Sequence, residues 1–432
     1  MSAPVGPTPP APRLAALRYR DFRLLWAGSL VSSVGSQMQI IAVNWQVYRL
    51  LSHATVQVSV LGEHPSLSGQ ALGLGTLGLV RVVPIFLFAL LGGVLADAYD
   101  RRLLILRAQS AELLAALALA FLTLGGHAGL VALYALTAAD SAAATFEQPA
   151  MDALEPQLVA PEHLANAISL STLVWTIGTI AGPALAGVVV SIFPIGVVYA
   201  INAASFAAVL LAVAALHHRD HTRVAAERPT WGHLIEGLRY TRATPVIWST
   251  MLLDFWATFF SSARTMLPIV AGSLLGVGVQ GYGILATAQP VGAVLTATGM
   301  ALRRRLVHQG SILLAGVVLY GAATAIFGIS IIFILSYGLY FLTGAGDMLS
   351  TVVRATLRQT LTPSELRGRL SSVHLMLAYG GPQLGELEAG VAAALFGVSA
   401  AIVSGGLATI AVAGWIAWRY PALRRYKDES GA

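Results

Sequence analysis

The stretch LLGGVLADAYDRRLLIL, Leu90 to Leu106, decides how the remaining sequence is read. It joins two long apolar runs through a short turn that carries Asp97, Asp100, Arg101 and Arg102. Gly92 and Gly93 let a helix end pack closely on a neighbour, and Asp97 can accept hydrogen bonds from a helix N-terminus or an arginine. Arg101 and Arg102 suit an anchoring position at the headgroups. Each flanking run is long enough to cross ~30 Å of hydrocarbon. The stretch therefore reads as a loop at a membrane surface between two spanning helices.

Composition agrees. Of 432 residues, 56% are apolar and 11% charged, with 43 glycines and no cysteine; mean hydropathy is +0.73. A water-soluble domain of this size needs more charge, whereas small residues in apolar runs suit close helix packing in lipid. Without cysteine there is no disulfide, thiolate nucleophile, thiolate zinc site or iron–sulfur cluster. Apolar runs between charged or Gly/Pro breaks give twelve candidate spans, at about 22–48, 71–96, 103–124, 128–150, 166–190 and 194–216, then 246–272, 280–302, 310–329, 331–353, 370–392 and 398–418. The expected fold is an all-α integral membrane protein of twelve transmembrane helices in two pseudo-symmetric six-helix bundles.

The basic residues fix an expected orientation. With the N-terminus inside, 23 of the 26 Lys and Arg fall in the tails and cytoplasmic loops, leaving only Arg49, Arg81 and Arg264 elsewhere. This predicts a cytoplasmic N-terminal tail (1–21), a first bundle (22–216), a cytoplasmic linker (217–245), a second bundle (246–418) and a cytoplasmic C-terminal tail (419–432). Basic clusters between spans signal topology, not nucleic acid. Within the linker, Trp231, Leu234, Ile235 and Leu238 mark one face of a short amphipathic helix. His217, His218 and His221 lack a carboxylate or thiol at ligand spacing, so no metal is expected. LVAPEHLANAISL (158–170) aligns with TLTPSELRGRLSS (360–372), placing Pro161 over Pro363 about half a chain apart, as a duplicated six-helix unit requires.

Taken as a motif, GGVLADAYDRR resembles the signature between the second and third helices of the major facilitator superfamily. The resemblance assigns Gly93, Asp97, Arg101 and Arg102 to a conformational latch. The corresponding loop of the second half, MALRRRLVHQG, keeps the basic cluster but lacks the acid. WTIGTIAGPALAG, with Gly178, Gly182, Pro183 and Gly187, resembles the helix-5 signature of facilitator antiporters, and its four-residue glycine spacing makes a flat face for another helix. FRLLWAGSLVSSVG, DFWATFFSSARTMLP, GPQLGELEAGVAAALFG and PALRRY resemble the branch holding enterobactin exporters and macrolide efflux pumps. The segment from Arg49 to Gln70 is longer than that branch's usual connection. Gly73, Gly75 and Gly78 spell GxGxxG, but inside a span and after no strand, so they are not a nucleotide site.

Charges within spans are functional candidates, since each costs roughly 2.5 to 3.5 kcal/mol at mid-membrane on insertion scales. Arg81, Asp140, Glu147, Asp254, Arg264, Asp347, Glu386 and Glu388 qualify. Arg81 and Asp140 lie at similar depth, roughly 21 and 18 Å from their cytoplasmic helix ends, which makes a pair feasible. Asp254 and Glu147, with Asp140 next, are the proton-coupling candidates, Asp254 ranking first for its resemblance to the branch. A structural partner such as Arg264 is the alternative for these acids. Asn44, Trp45, Gln46 and Gln289 are candidate contacts to an amphipathic ligand in a cavity that also holds Arg81 and Arg264.

A membrane enzyme would need a convergent nucleophile, base or metal set, and nine of the ten histidines fall in loops or at helix ends. A Walker loop is absent, so ATP on this chain is not the energy source. The reading is a secondary transporter, not an enzyme, with no cofactor. It would export a small drug- or siderophore-like amphipathic molecule in exchange for protons, as a monomer in the lipid bilayer of the cell (inner) membrane. The alternative is proton symport or facilitated uptake of a small solute through the same fold.

Overall fold

The structure, a computed structural model, describes residues 14–52, 54–57, 66–98, 100–217, 238–303, 307–363 and 366–426. The side chains of 89–98 and several near the start of the eleventh helix fall outside that description, and so do most of the linker, its amphipathic helix, and His218 and His221.

Twelve long helices are present among the described residues. The first six are α1 (Arg20–Leu50), α2 (Gly69–Ala98), α3 (Arg101–Leu124), α4 (Leu130–Leu154), α5 (Leu164–Ile192) and α6 (Gly196–Ala214). α7 comes in two pieces, Pro245–Phe260 and Ala263–Ile269, and a wider π turn, Val270–Leu274, prolongs it. α8 (Gly278–Ala301), α9 (Gln309–Ile329), α10 (Phe333–Leu361), α11 (Arg367–Phe396) and α12 (Val398–Arg419) complete the set. Between α1 and α2, a small antiparallel pair, β1 (Thr55–Gln57) and β2 (Ser66–Ser68), sets Val56 opposite Leu67 and accounts for part of the long connection.

Seven of these helices, α2, α3, α5, α6, α8, α9 and α12, are long and apolar enough to cross a membrane by length and composition alone. The other five differ for a physical reason. α7 is interrupted, α4, α10 and α11 carry interior charges, and α1 carries a run of amides including Gln39, Asn44 and Gln46. A helix that presents polar groups to protein has a lower mean hydropathy than one that faces lipid all round.

Among the described residues, the halves share a buried core at one end. One buried apolar core mixes both halves, joining Met38, Trp45, Leu74 and Tyr199 with Met266, Tyr282, Phe327 and Tyr340. It sits at the face away from the termini. Toward the terminal face the cores separate, one holding Phe22, Leu25, Ile105 and Val209 of the first half, the others Leu253, Leu313, Ile247 and Leu370 of the second.

Small residues make the closed end possible. α2 packs on α11 where a Cβ added at Gly75 would lie 2.8 Å from the Gly390 Cα, and one at Gly78 would lie 2.7 Å from the Gln383 carbonyl. The GxGxxG pattern thus serves helix packing. Along α5, Gly178 and Gly182 receive Ser33 and Gln37 of α1, whereas Gly187 and the Pro183 carbonyl receive Gly283 of α8. One motif therefore packs its first turns inside its own half and its last turns across to the other.

Candidate functional site

Counting helical rise from the far face, Arg81, Asp140, Arg264, Gln289 and Glu386 all lie roughly 15 to 18 Å deep, in one polar layer beneath the closed end. Arg81 bonds Glu386 of α11 across the halves at 3.7 Å and donates to the Asn44 Oδ1 at 2.9 Å. Asn44 in turn donates to the Tyr282 hydroxyl at 3.4 Å, and Trp45 stacks on the Tyr282 ring at 5.9 Å. Tyr48 bonds Ser273 at 2.9 Å nearer the far surface. Polar contacts between the halves thus gather with the shared apolar core.

The Arg81–Asp140 pair expected from depth is not formed. Arg81 has turned to Glu386, and Asp140, half-buried, accepts from Gln39 of α1 at 3.4 Å. Helical depth fixes height but not azimuth, and the α2 face that bears Arg81 looks toward α11. Gln46, expected at the cavity, is buried between α1, α3 and α6, accepting from Tyr199 at 2.7 Å and donating to Thr123 at 3.4 Å. Gln289 accepts from the Tyr340 hydroxyl at 3.0 Å. Arg264 starts the second piece of α7, is exposed, and lies in electrostatic reach of Tyr282 and Tyr340.

Two buried charge systems lie closer to the terminal face. In the first half, Glu147 accepts from Gln109 at 2.5 Å and is hydrogen-bonded to Glu112 of α3, with Asp140 in electrostatic reach. Two carboxyl groups bonded to each other must share a proton. Among the described residues no cation lies in ion-pair distance of Glu112, Asp140 or Glu147. Glu112, 3% exposed, was not among the candidates. A single acid inside AELLAALALA was its only sequence signal.

In the second half, Arg354 of α10 bonds Asp254 at 2.8 Å and Asp347 at 3.7 Å. The partner of Asp254 is therefore Arg354, not Arg264. Arg354 was counted among the cytoplasmic loop arginines, but α10 continues to Leu361 and carries it into the interior. Asp254, Arg354, Arg358, His374, Thr250, Met251 and Ile247 line a small cavity there.

At the signature loop, Asp100 caps α3 by accepting from the Leu103 amide at 3.3 Å. Arg101, expected at the headgroups, is instead 9% exposed and donates to the Ala153 carbonyl at the end of α4. Arg102 donates to the Ala214 and Leu216 carbonyls at 2.7 and 3.2 Å. Both arginines thus stop helix C-termini, whose last carbonyls and negative dipole ends favour a cation. Gly93 and Asp97 of the latch lie in the stretch whose side chains are outside the description.

Two six-helix halves that close at one end over a charged mid-membrane layer define a transporter of the major facilitator superfamily. The chain belongs to that superfamily's family described as "Transmembrane secretion effector", whose model matches residues 11–430. It is 28% identical over 385 residues to the "Enterobactin exporter EntS" of Salmonella typhi, covering 89% of this chain and 88% of that protein. The protein of the same name from Escherichia coli O1:K1 / APEC is 27% identical over 393 residues, 90% of each chain. Among solved structures, a bacterial homologue of the human lysosomal transporter Spinster, inward-facing and occupied, superposes with a TM-score of 0.72 at 14% identity, covering 94% of this chain and 98% of that one. A bacterial homologue of the iron transporter ferroportin, inward-facing, gives 0.71 at 15% identity, covering 94% and 99%.

Proposed function

We propose that this protein exports a small siderophore-like molecule by alternating access, exchanging it for protons at the carboxylates of its first half. It works as a monomer in the cell (inner) membrane with both termini in the cytoplasm, so the present form opens inward. The observation that carries the coupling is the Glu112–Glu147–Asp140 group, which among the described residues has no cation within ion-pair distance. A carboxylate in a poorly solvated site without a counter-charge holds a proton until water or a cation reaches it. Glu147 and Asp140 are half-buried, so rocking of the halves would change their access to water. The relatives' names and the family's description support export. The glycine seams at α2–α11 and α5–α8 supply surfaces that separate when the far face opens.

The test is uptake into inverted membrane vesicles containing the full chain, with enterobactin as first probe. Accumulation that rises with an imposed inside-acid gradient and stops when the gradient is collapsed is expected. Accumulation indifferent to the gradient would remove proton exchange, and accumulation only in right-side-out vesicles would reverse the direction.

A further inference from the structure

We infer that the transported molecule binds as an anion, its negative group held by Arg264 with the Gln289 amide beside it; this rests on the transport reading above. Arg264 differs from every other cation of the mid-membrane layer. Its neighbours Ala263, Thr265, Met266 and Leu267 are buried in the core that joins the halves, whereas Arg264 alone of this turn is exposed. In a segment at hydrocarbon depth, an exposed guanidinium faces the protein's own cavity and not lipid. Among the described residues it makes no ion pair and no hydrogen bond. The other layer cation, Arg81, is already engaged by Glu386 and Asn44.

The layer holds two guanidiniums and two carboxylates, but Glu386 pairs with Arg81 and neither carboxylate lies in ion-pair distance of Arg264. Asp140 is held by Gln39 on α1 and feels Arg81 instead. Gln289 is the independent observation. The Tyr340 hydroxyl occupies its carbonyl oxygen at 3.0 Å, which orients the amide and leaves its N–H2 group as a donor without a protein acceptor among the described residues. Tyr340 is also a group that the Arg264 charge reaches. An unpaired cation and an oriented donor at similar depth beneath the closed end recognise a carboxylate, sulfonate, phosphate or ionised phenol. A cationic molecule in that place would meet a like charge.

The experiment is equilibrium dialysis of the purified full-length protein with two probes of one ring system and opposite sign, naphthalene-1-sulfonate and naphthylmethylammonium. The wild type is expected to bind the sulfonate at least about tenfold more tightly than the ammonium. Arg264→Gln should weaken the sulfonate about tenfold or more, as loss of a charge-assisted bond does, while Arg264→Lys keeps most of the affinity and Gln289→Leu costs a smaller factor. Melting curves confirm folding, and if Arg264→Gln does not fold, the Gln289→Leu loss and weakening by salt decide. Unchanged sulfonate affinity in the folded Arg264→Gln protein overturns the inference. So does a wild type that prefers the ammonium or binds neither. Gradient-driven accumulation of a cation, untouched by Arg264→Gln, would remove the anion site and leave the transport reading standing. Arg264-dependent binding without accumulation in vesicles would do the reverse.

Discussion

The two halves handle buried acid in opposite ways. In the second half Asp254 and the half-buried Asp347 share Arg354, whose guanidinium sits 2.8 Å from Asp254, so the buried acid Asp254 has its counter-ion beside it. In the first half Glu112, Glu147 and Asp140 have amides and one another, with Gln109 and Gln39 as the donors. A pair with its own counter-ion has little to gain from a proton. A carboxyl group with only neutral partners depends on one. Under the proton-exchange proposal, the second half is the fixed frame and the first half carries the exchangeable proton.

The largest effect follows from breaking the frame. Arg354→Met strands Asp254 and Asp347 without their cation, and removing one partner of a buried pair costs about 3 to 5 kcal/mol. The expected outcome is a steep loss of folded protein in the membrane, measured by detergent size-exclusion of a fluorescent fusion, with partial recovery when Asp254→Asn is added. A normal yield of folded Arg354→Met would mean that the pair is solvated and the two halves are less different than drawn.

Next comes the contrast between acids. Glu147→Gln should leave the yield near wild type, because an amide replaces a protonated carboxyl of similar shape, while uphill export is lost and downhill exchange persists. Asp254→Asn should instead lower the yield, leaving Arg354 with Asp347 alone. Proteoliposome assays scoring accumulation separately from exchange distinguish them. If Asp254→Asn uncouples at full yield while Glu147→Gln accumulates normally, the assignment of the halves is inverted.

What the sequence disclosed tracks the length scale of each feature. Twelve spans, the helix-5 face and the similar depth of Arg81 and Asp140 depend on runs and spacings along one helix, so they were legible, whereas Glu386 was read nearer a helix end and instead joins the polar layer. Pairings depend on azimuth between helices, which one sequence does not carry. Arg81 therefore met Glu386 and not Asp140, and Asp254 met Arg354 and not Arg264. Arg354 was misplaced because α10 runs beyond its apolar stretch, where burial against α7 replaces hydropathy as the reason to stay helical. The break in α7 had a signal in the adjacent Ser261 and Ser262, which interrupt an aromatic run.

A smaller effect separates glycines that pack within a half from those that pack between halves. Gly182→Val crowds Gln37 and Val34 inside the first half and should destabilise by about 1 to 3 kcal/mol. Gly187→Val crowds Gly283 across the seam, so its cost falls on the closed far face and shifts the population outward-open. Because the chain has no cysteine, single cysteines placed near the far surface report this directly. Faster labelling in Gly187→Val at nearly unchanged melting temperature is expected; equal labelling in both variants would show that the α5–α8 seam does not gate.

The smallest effect concerns how each half starts its third helix. In the first half Asp100 caps α3, its carboxylate accepting from the Leu103 amide, and Arg101 and Arg102 bind the ends of α4 and α6. In the second half α9 opens at His308, which makes no side-chain cap bond. Losing a cap of this kind costs about 1 kcal/mol, so Asp100→Ala should lower the melting temperature modestly. The opposite substitution sharpens the comparison: His308→Ser supplies a hydroxyl to the orphan amides of the first α9 turn and should stabilise by a similar or smaller amount. Transport should be nearly unchanged by His308→Ser, because that end holds no coupling group. Asp100→Ala sits beside the latch stretch, so there a loss of transport exceeding the loss of folded protein would tie the cap to the conformational cycle. Were His308→Ser neutral in melting while Asp100→Ala costs the full amount, water would already serve the α9 amides, and the asymmetry between the loops would lie in the arginines alone.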